Sequence, residues 1–575
     1  MWLPDVRGQL LALSFTLPFL IVAVAKAQDP PPSTFAALAG AGSCFQQPAG
    51  NDATVYDDCE PASGLSGAGG AAIAPDQRNV YAVAGASNAI VTFARAENGT
   101  LSALGCISAD GGDGRFGSDG MCRDGDALVG AFRVLVSPDG RFVYVLARGS
   151  HAISWFARDP ETGALEQLGC LKAAPRGGRC GGAWGLWNPA DLAMTPDGTS
   201  LYVASPDDDS LTTFTRDAGT GNLVWAGCVS NSGSDGLCAD GTGMNGAQAI
   251  SVAPDGATVY LTAAGAGALD WFARDPETGL LTQRGCLREL PVTGGSCTQS
   301  GDVSSIQDVV AAPDGETVYV ATNSSLVEFR RGQDGASLTR MACTRQAEPQ
   351  GDDAIEPPDE DGDDDPGDDD EDWEDDEDEE EELMDAGDCA PAKALSWVQQ
   401  LAVTPDGRTL VAAGADLTAF AREAAGLRQL GCVQYELTYR SCLQSDRVRG
   451  VSTAEVSPDG RTLYVTSASG VAGYTLAAAV TTTRTAVTAR RARLRVGCPR
   501  AKRRACAVRV RFGGSGRPVA VRIARGRYAT LRVALPRALR QAVRARGRVR
   551  ATVRLRDRST RTRVIRRSVV LRAAR

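Results

Sequence analysis

Val134-Leu135-Val136-Ser137-Pro138-Asp139-Gly140-Arg141-Phe142-Val143-Tyr144-Val145-Leu146-Ala147 is the stretch on which the fold turns. Its first three residues suit a strand buried on both faces, Pro-Asp-Gly reverses the chain, and a Tyr-centred strand returns. The phrase recurs from Ala74, Thr195, Ala253, Ala312, Thr404 and Ser457. Successive prolines (75, 138, 196, 254, 313, 405, 458) stand 63, 58, 58, 59, 92 and 53 residues apart, a period near 58 with one long insertion. Such a period marks a propeller or a solenoid.

The grammar of one repeat separates the two. After Tyr144 come a third strand ending in Trp155-Phe156, a turn Asp159-Pro160-Glu161-Thr162-Gly163 and a fourth strand through Leu165 and Leu168. That is a four-stranded antiparallel blade. The last copy stops after its third strand near Leu476, and the segment Phe35 to Ser43 reads as a fourth strand followed by a cysteine. An N-terminal outer strand that completes the last blade would close the ring and remove its open edges. The expected class is all-β: a seven-bladed β-propeller over residues 35–479, then a small β-sandwich over 480–575.

Sixteen cysteines fall into eight local pairs: Cys44 with Cys59, Cys106 with Cys122, Cys170 with Cys180, Cys228 with Cys238, Cys286 with Cys297, Cys343 with Cys389, Cys432 with Cys442, and Cys498 with Cys506. In seven of them the first cysteine ends a fourth strand, so one disulfide per blade is expected, stapling the loop to the next inner strand. The spacings match no common zinc pattern, and the chain has a single histidine. The oxidising compartment follows from the start of the chain. Arg7, an apolar stretch from Leu10 to Ala25, and Ala25-Lys26-Ala27 make residues 1–27 a secretory signal peptide, with a Pro-rich linker over 28–34. No other segment approaches the roughly 20 apolar residues of a membrane span. The expected mature protein is secreted, with no transmembrane anchor, and is free or held to the envelope by non-covalent contacts.

A net charge of −10 hides two opposed extremes. Residues 481–575 carry 31 Lys and Arg against Asp557 alone, a net of +30. Between Cys343 and Cys389, residues 351–388 carry 25 Asp and Glu and no basic residue. This insert, placed at 345–388, cannot pack a core and reads as a disordered acidic loop. Three roles are open to it: a solvated bristle, weak Ca²⁺ accumulation without an ordered ligand loop, or docking on the basic tail. In the tail, Cys506 to Phe512, Arg517 to Ile523 and Arg548 to Arg556 alternate Arg with apolar residues, the period of half-buried strands. Secretion argues against nucleic acid as its partner. Anionic envelope polymers or an acidic protein surface fit better, beside the plain reading of solvated strands in a chain with 56 Arg and four Lys.

Catalytic signatures are sparse. His151, in Arg148-Gly149-Ser150-His151, is the one possible histidine of a triad and reads as a loop residue between second and third strands, aligned with Asn88 and Ser210. No GxSxG elbow, HExxH helix or phosphate-binding glycine loop is present. On the stapled face, Asp124 and Asp240 in repeated Asp-Gly loops, with Asp302 and Asp446 in comparable regions, are candidates to hold a cation at the channel mouth, against ordinary turn chemistry. Trp184, Trp187 and Trp397 are candidates for a platform that binds a small molecule or glycan, against packing at the hub. No cofactor is otherwise called for.

The Pro-Asp-Gly phrases, followed by Phe-x-Arg-Asp-x-x-Thr-Gly-x-Leu at Phe156 to Leu165 and Phe272 to Leu281, resemble YVTN-type propellers and the seven-bladed lactonase family. That family includes relatives of 6-phosphogluconolactonase and of the carboxymuconate cycloisomerases. The resemblance covers roughly Phe35 to Ala479 and implies the fold. It also implies lactone chemistry by polar side chains lining the channel, though no such set matches residue by residue. The tail resembles small Arg- and Val-rich β-sandwich modules appended to secreted bacterial proteins. Two functions compete: a secreted, disulfide-stabilised binding or structural module, and an extracellular lactonase-like hydrolase or cycloisomerase-related enzyme acting at the channel mouth.

Overall fold

The computed structural model describes the chain from Thr34 to Ala573 except residues 39–41, 49–58, 110–120, 174–178, 291–296, 349–388 and intervals of eight residues or fewer elsewhere. Seven sheets form seven blades, with inner strands Ala68–Ile73, Ala131–Val136, Asp191–Met194, Ala247–Val252, Ile306–Ala311, Gln400–Val403 and Val451–Val456. The ring closes as expected. Thr34–Ala37 and Cys44–Gln46 both pair antiparallel with the third strand of blade seven, Phe35 meeting Leu476 and Cys44 meeting Ala472.

Six blades have five strands rather than four, and blade seven has six because its fourth strand comes in two pieces. The stapled loop adds a short outermost strand, such as Arg123–Asp124 or Ala239–Asp240, that runs parallel to the fourth. Seven of the eight expected disulfides are present, from Cys44–Cys59 to Cys432–Cys442. The eighth involves Cys498, outside the described residues, as do the signal peptide and nearly all of the acidic insert. The fourth strand of blade five runs to Gln346, so the first residues of the expected insert belong to the blade. The Gly of the Gly-Cys pairs has a steric reason in two blades: a Cβ at Gly169 or Gly285 would lie 2.5 or 2.2 Å from the ring of Trp155 or Trp271.

Blades adhere through apolar layers and through a repeated polar bolt. Tyr81 and Val83 of blade one share a core cluster with Val143 and Phe156 of blade two, and similar clusters follow around the ring. On the Pro-Asp-Gly face, the Arg that ends each third strand reaches back to the preceding blade. Arg216 donates to the Tyr144 hydroxyl at 2.8 Å and pairs with Asp139 at 2.6 Å. Arg158 does the same with Tyr81 and Asp76, Arg422 with Tyr319 and Asp314, and Arg95 with Tyr464 across the closure. Arg274 and Arg331 keep the carboxylate partners Asp197 and Asp255. Between blades six and seven both members change together: Val411 replaces the Tyr and Leu476 the Arg.

The C-terminal strands form one hydrogen-bonded sheet that wraps a single core of Leu494, Val496, Val508, Val510, Phe512, Val553 and Leu571. One helix, Arg537–Arg546, is added to the expected strands. Arg509 lies on the exposed side between buried Val508 and Val510, as the alternation requires. Among the described residues no helix is long and apolar enough to cross a membrane.

Candidate functional site

The chain enters each inner strand through one residue in the left-handed region, eight positions before the proline. These are Gly67, Gly130, Asn188, Gly246, Ser305, Trp397 and Gly450, with φ between 49° and 71°. Glycine holds this conformation without strain, Asn tolerates it, and a bulky residue is an outlier. Trp397 is that outlier and is 68% exposed.

A second left-handed residue turns the second strand into the third: Asn88, His151, Asp209 and Gly267 in blades one to four. His151 therefore aligns with Asp209, one position from the Ser210 expected from the sequence. Three of these side chains accept the backbone N–H of the first set in the following blade. Asn88 Oδ1 takes Gly130 N–H at 2.7 Å, His151 Nδ1 takes Asn188 N–H at 3.0 Å, and Asp209 Oδ1 takes Gly246 N–H at 2.7 Å. A backbone N–H can only donate, so the Nδ1 of His151 is unprotonated and its ring acts here as a longer Asn.

His151 also touches an aromatic pocket of this face. Its ring packs edge-on against Trp187 with centroids 4.2 Å apart. Trp187 and Trp184, with Asp208, Ser210, Ser234 and Leu237, line a cavity of about 230 Å³ over blade three. Asp208 accepts the Trp187 N–H at 2.8 Å, and burial raises its carboxyl above the usual range. The Ser210 hydroxyl is buried without a hydrogen-bond partner among the described residues. Trp184 presents its ring to solvent at 42% exposure. Thus two of the three tryptophans singled out from sequence converge with the histidine. Trp397 stands apart, on blade six.

The four carboxylates suggested as cation ligands do not converge. Asp124 and Asp240 sit on the outermost strands of blades one and three, far from the axis, because the stapled loops add strands at the rim. Asp302 pairs with Arg340 at 2.7 Å, and Asp446 opens a short 3-10 turn. Among the described residues none of the four belongs to a group of three metal-ligating side chains.

The channel holds charges that the sequence reading passed over. Five positions before the proline stand Gly70, Arg133, Asp191, Ala249, Asp308, Gln400 and Thr453, a column whose polar members interrupt otherwise apolar strands. Arg133 pairs with Asp191 at 3.3 Å and stacks on Phe132, whose ring also lies 3.7 Å from the guanidinium of Arg148. Burial, with Arg133 adding to it, lowers Arg148 to about 10. Asp191, Asp308 and Gln400 each accept an N–H of the next inner strand, from Ile250 at 2.9 Å, Leu401 at 2.6 Å and Ala454 at 2.8 Å. Burial pushes Asp308 up to about 7, helped by the negative charge of Asp191, and burial alone does the same to Glu455. A cation beside carboxyls that titrate near neutrality can stabilise an oxyanion and exchange a proton.

Residues 71–234, within the first three blades, match the model of the family described as Lactonase, 7-bladed beta-propeller. No curated protein matches the chain. Among solved structures, the periplasmic gluconolactonase of Pseudomonas aeruginosa is similar at 15% identity, over 67% of this chain and 90% of that one, with a TM-score of 0.41. The hydrazine synthase of Kuenenia stuttgartiensis aligns at 14% identity over 72% and 96%, with a TM-score of 0.40. A protein from Lactobacillus plantarum does so at 14% over 65% and 86%, with a TM-score of 0.43. Through blades one to three, the chain is similar to lactonase-type propellers.

Proposed function

We propose that this protein is a ligand-binding propeller of an oxidising, extracytoplasmic compartment, and that it receives a hydroxyl-rich small molecule or glycan end in the pocket over blade three. The pocket itself carries the reading. An exposed indole face, a carboxylate and an unpartnered serine hydroxyl around about 230 Å³ are the elements that stack and orient a sugar-sized ring. The basic C-terminal unit supplies attachment to anionic envelope polymers. Calorimetric titration with a set of mono- and disaccharides tests the site. Binding lost in Trp184→Ala and weakened at least tenfold in Asp208→Asn, with unchanged folding, is the expected result, whereas saccharide binding indifferent to both variants removes the pocket from the proposal. For attachment, the full chain is expected to elute from isolated envelopes as salt rises, and a chain ending at residue 480 to be unretained.

Lactone hydrolysis in the channel is the second reading. It rests on Arg133 beside Asp191, on the elevated carboxyls of Asp308 and Glu455, and on the family match over residues 71–234. A lactone panel assayed with wild type and Asp308→Asn, which keeps an acceptor for the Leu401 N–H, decides it. Turnover that this variant abolishes establishes the enzyme. No turnover by folded wild type returns the weight to binding.

A further inference from the structure

One disulfide differs from the other six in what faces it. Opposite the first cysteine of each staple, on the neighbouring strand, stand Val91, Ser154, Thr212, Asp270, Val327, Thr418 and Ala472. The hydroxyls of Ser154, Thr212 and Thr418 donate to carbonyls of the segment that follows the preceding blade's staple, those of Asp126, Gly185 and Ala394. Blade four alone places a carboxyl there. Asp270 is fully buried, one of its oxygens accepts Gln283 Nε2–H at 2.8 Å, and the other has no hydrogen-bond partner among the described residues. A carboxyl oxygen and the two sulfurs of Cys286–Cys297 lie within 4.8 Å of one another. Gly243 leaves the space between them open, since a Cβ there would lie 3.1 Å from Asp270 Oδ1 and 3.2 Å from Cys297 Sγ. Burial raises the Asp270 carboxyl well above its usual range, which favours its protonated form.

We propose that Cys286–Cys297 is a site of thiol–disulfide exchange with a small-molecule dithiol, and that Asp270 is its proton donor. Cys286 is 2% exposed and Cys297 is partly exposed, so the incoming thiolate attacks Cys297. The S–S bond breaks, and its electron pair leaves on Cys286 Sγ, which takes the Asp270 proton. The second thiol of the dithiol gives its proton to the Asp270 carboxylate, attacks the mixed disulfide and displaces Cys297 as thiolate. The dithiol departs oxidised by two electrons, Asp270 is again protonated, and the staple of blade four is open. A thiolate is a better leaving group when a proton meets it, and the other six staples have no acid in that place.

Full-length oxidised protein treated with limiting dithiothreitol at pH 7, quenched by alkylation and mapped by peptide mass spectrometry, gives a reduction rate for each pair. Cys286–Cys297 is expected to open at least ten times faster than the average of the other six. Asp270→Thr, which copies blade three, and Asp270→Asn, which keeps the bond to Gln283, are expected to slow that pair at least tenfold and leave the rest unchanged. Equal rates across the seven pairs in wild type, or a pair in either folded variant that opens as fast as before or faster, overturns the assignment.

Discussion

The two faces of the ring use the same backbone differently. On the Pro-Asp-Gly face one column of residues does one job: an Arg clamps the Asp of the preceding blade at six of seven interfaces, four times with the Tyr hydroxyl as well. On the stapled face the equivalent columns diverge, with Asn88, His151, Asp209 and Gly267 at one turn and Asn188, Ser305 and Trp397 where other blades have Gly. A face on which nearly every blade repeats its neighbour holds the ring together and offers little to distinguish one ligand from another. Variation at fixed geometry supplies that distinction, and the face that carries the pocket has it at both of its turns.

The sharpest way to break the contrast is to remove one clamp. Arg216→Leu takes one partner each from Tyr144, which keeps its bond to Gly221, and from the partly exposed Asp139, which keeps Ser137 and Arg141, and is expected to cost about 2–3 kcal/mol in denaturant unfolding of the propeller while leaving saccharide affinity intact. Loss of binding without loss of stability would erase the division between the faces. Next in size is the channel. The folded chain holds Glu455 at about 7 against an ordinary 4.5, so the unfolded chain gives up its proton first and stability falls as pH rises through that interval. Glu455→Gln removes the penalty. It is expected to stabilise by on the order of 2 kcal/mol at pH 8 and not at all at pH 4, measured as unfolding midpoints at the two pH values.

His151 sharpens the comparison further. If its role is that of Asn88, His151→Asn keeps wild-type stability and His151→Ala loses about 1 kcal/mol, read by thermal unfolding. A folded His151→Asn with abolished lactone turnover would instead make the ring catalytic. The smallest effect is expected at Trp397. Trp397→Gly relieves a left-handed strain at the cost of chain entropy, for a gain of about 0.5–1 kcal/mol, and a clear destabilisation would show that the indole packs rather than waits.

Much of this was legible in the repeat. The seven phrases and the cysteine spacing carry strand order and staple connectivity, because both depend on residues near in sequence, and closure follows from a last copy that lacks a fourth strand and a first segment that supplies one. The outermost strands escaped notice because two-residue segments such as Arg123–Asp124 have no period to read. With them went the placement of Asp124 and Asp240, which a four-stranded blade would leave free to turn inward. Asp191, Asp308 and Glu455 were hidden for another reason. Each sits in a short inner strand where nothing in the local sequence marks it out, and Asp308 feels the charge of Asp191 only because the ring brings strands of different blades to one axis. Aligning the repeats on their prolines exposes the Asp191 and Asp308 column. His151 aligns with Asp209 rather than Ser210, and in a turn one residue decides which side chain reaches the backbone of the next blade.

Closure of the ring by Thr34–Ala37 has a consequence for the order of events in biogenesis. The strand that seals blade seven is made first, and its partner at Tyr474 to Ala477 is made more than 400 residues later. Until then blade seven does not exist, and blade one lacks the neighbour to which Arg95 bonds through Tyr464. The growing chain is an arc with two raw ends, and the last clamp snaps shut only when both are present. Each finished blade is stapled within its own sequence, so the arc can wait without unravelling. The disulfides thus serve the unfinished molecule before they serve the finished one.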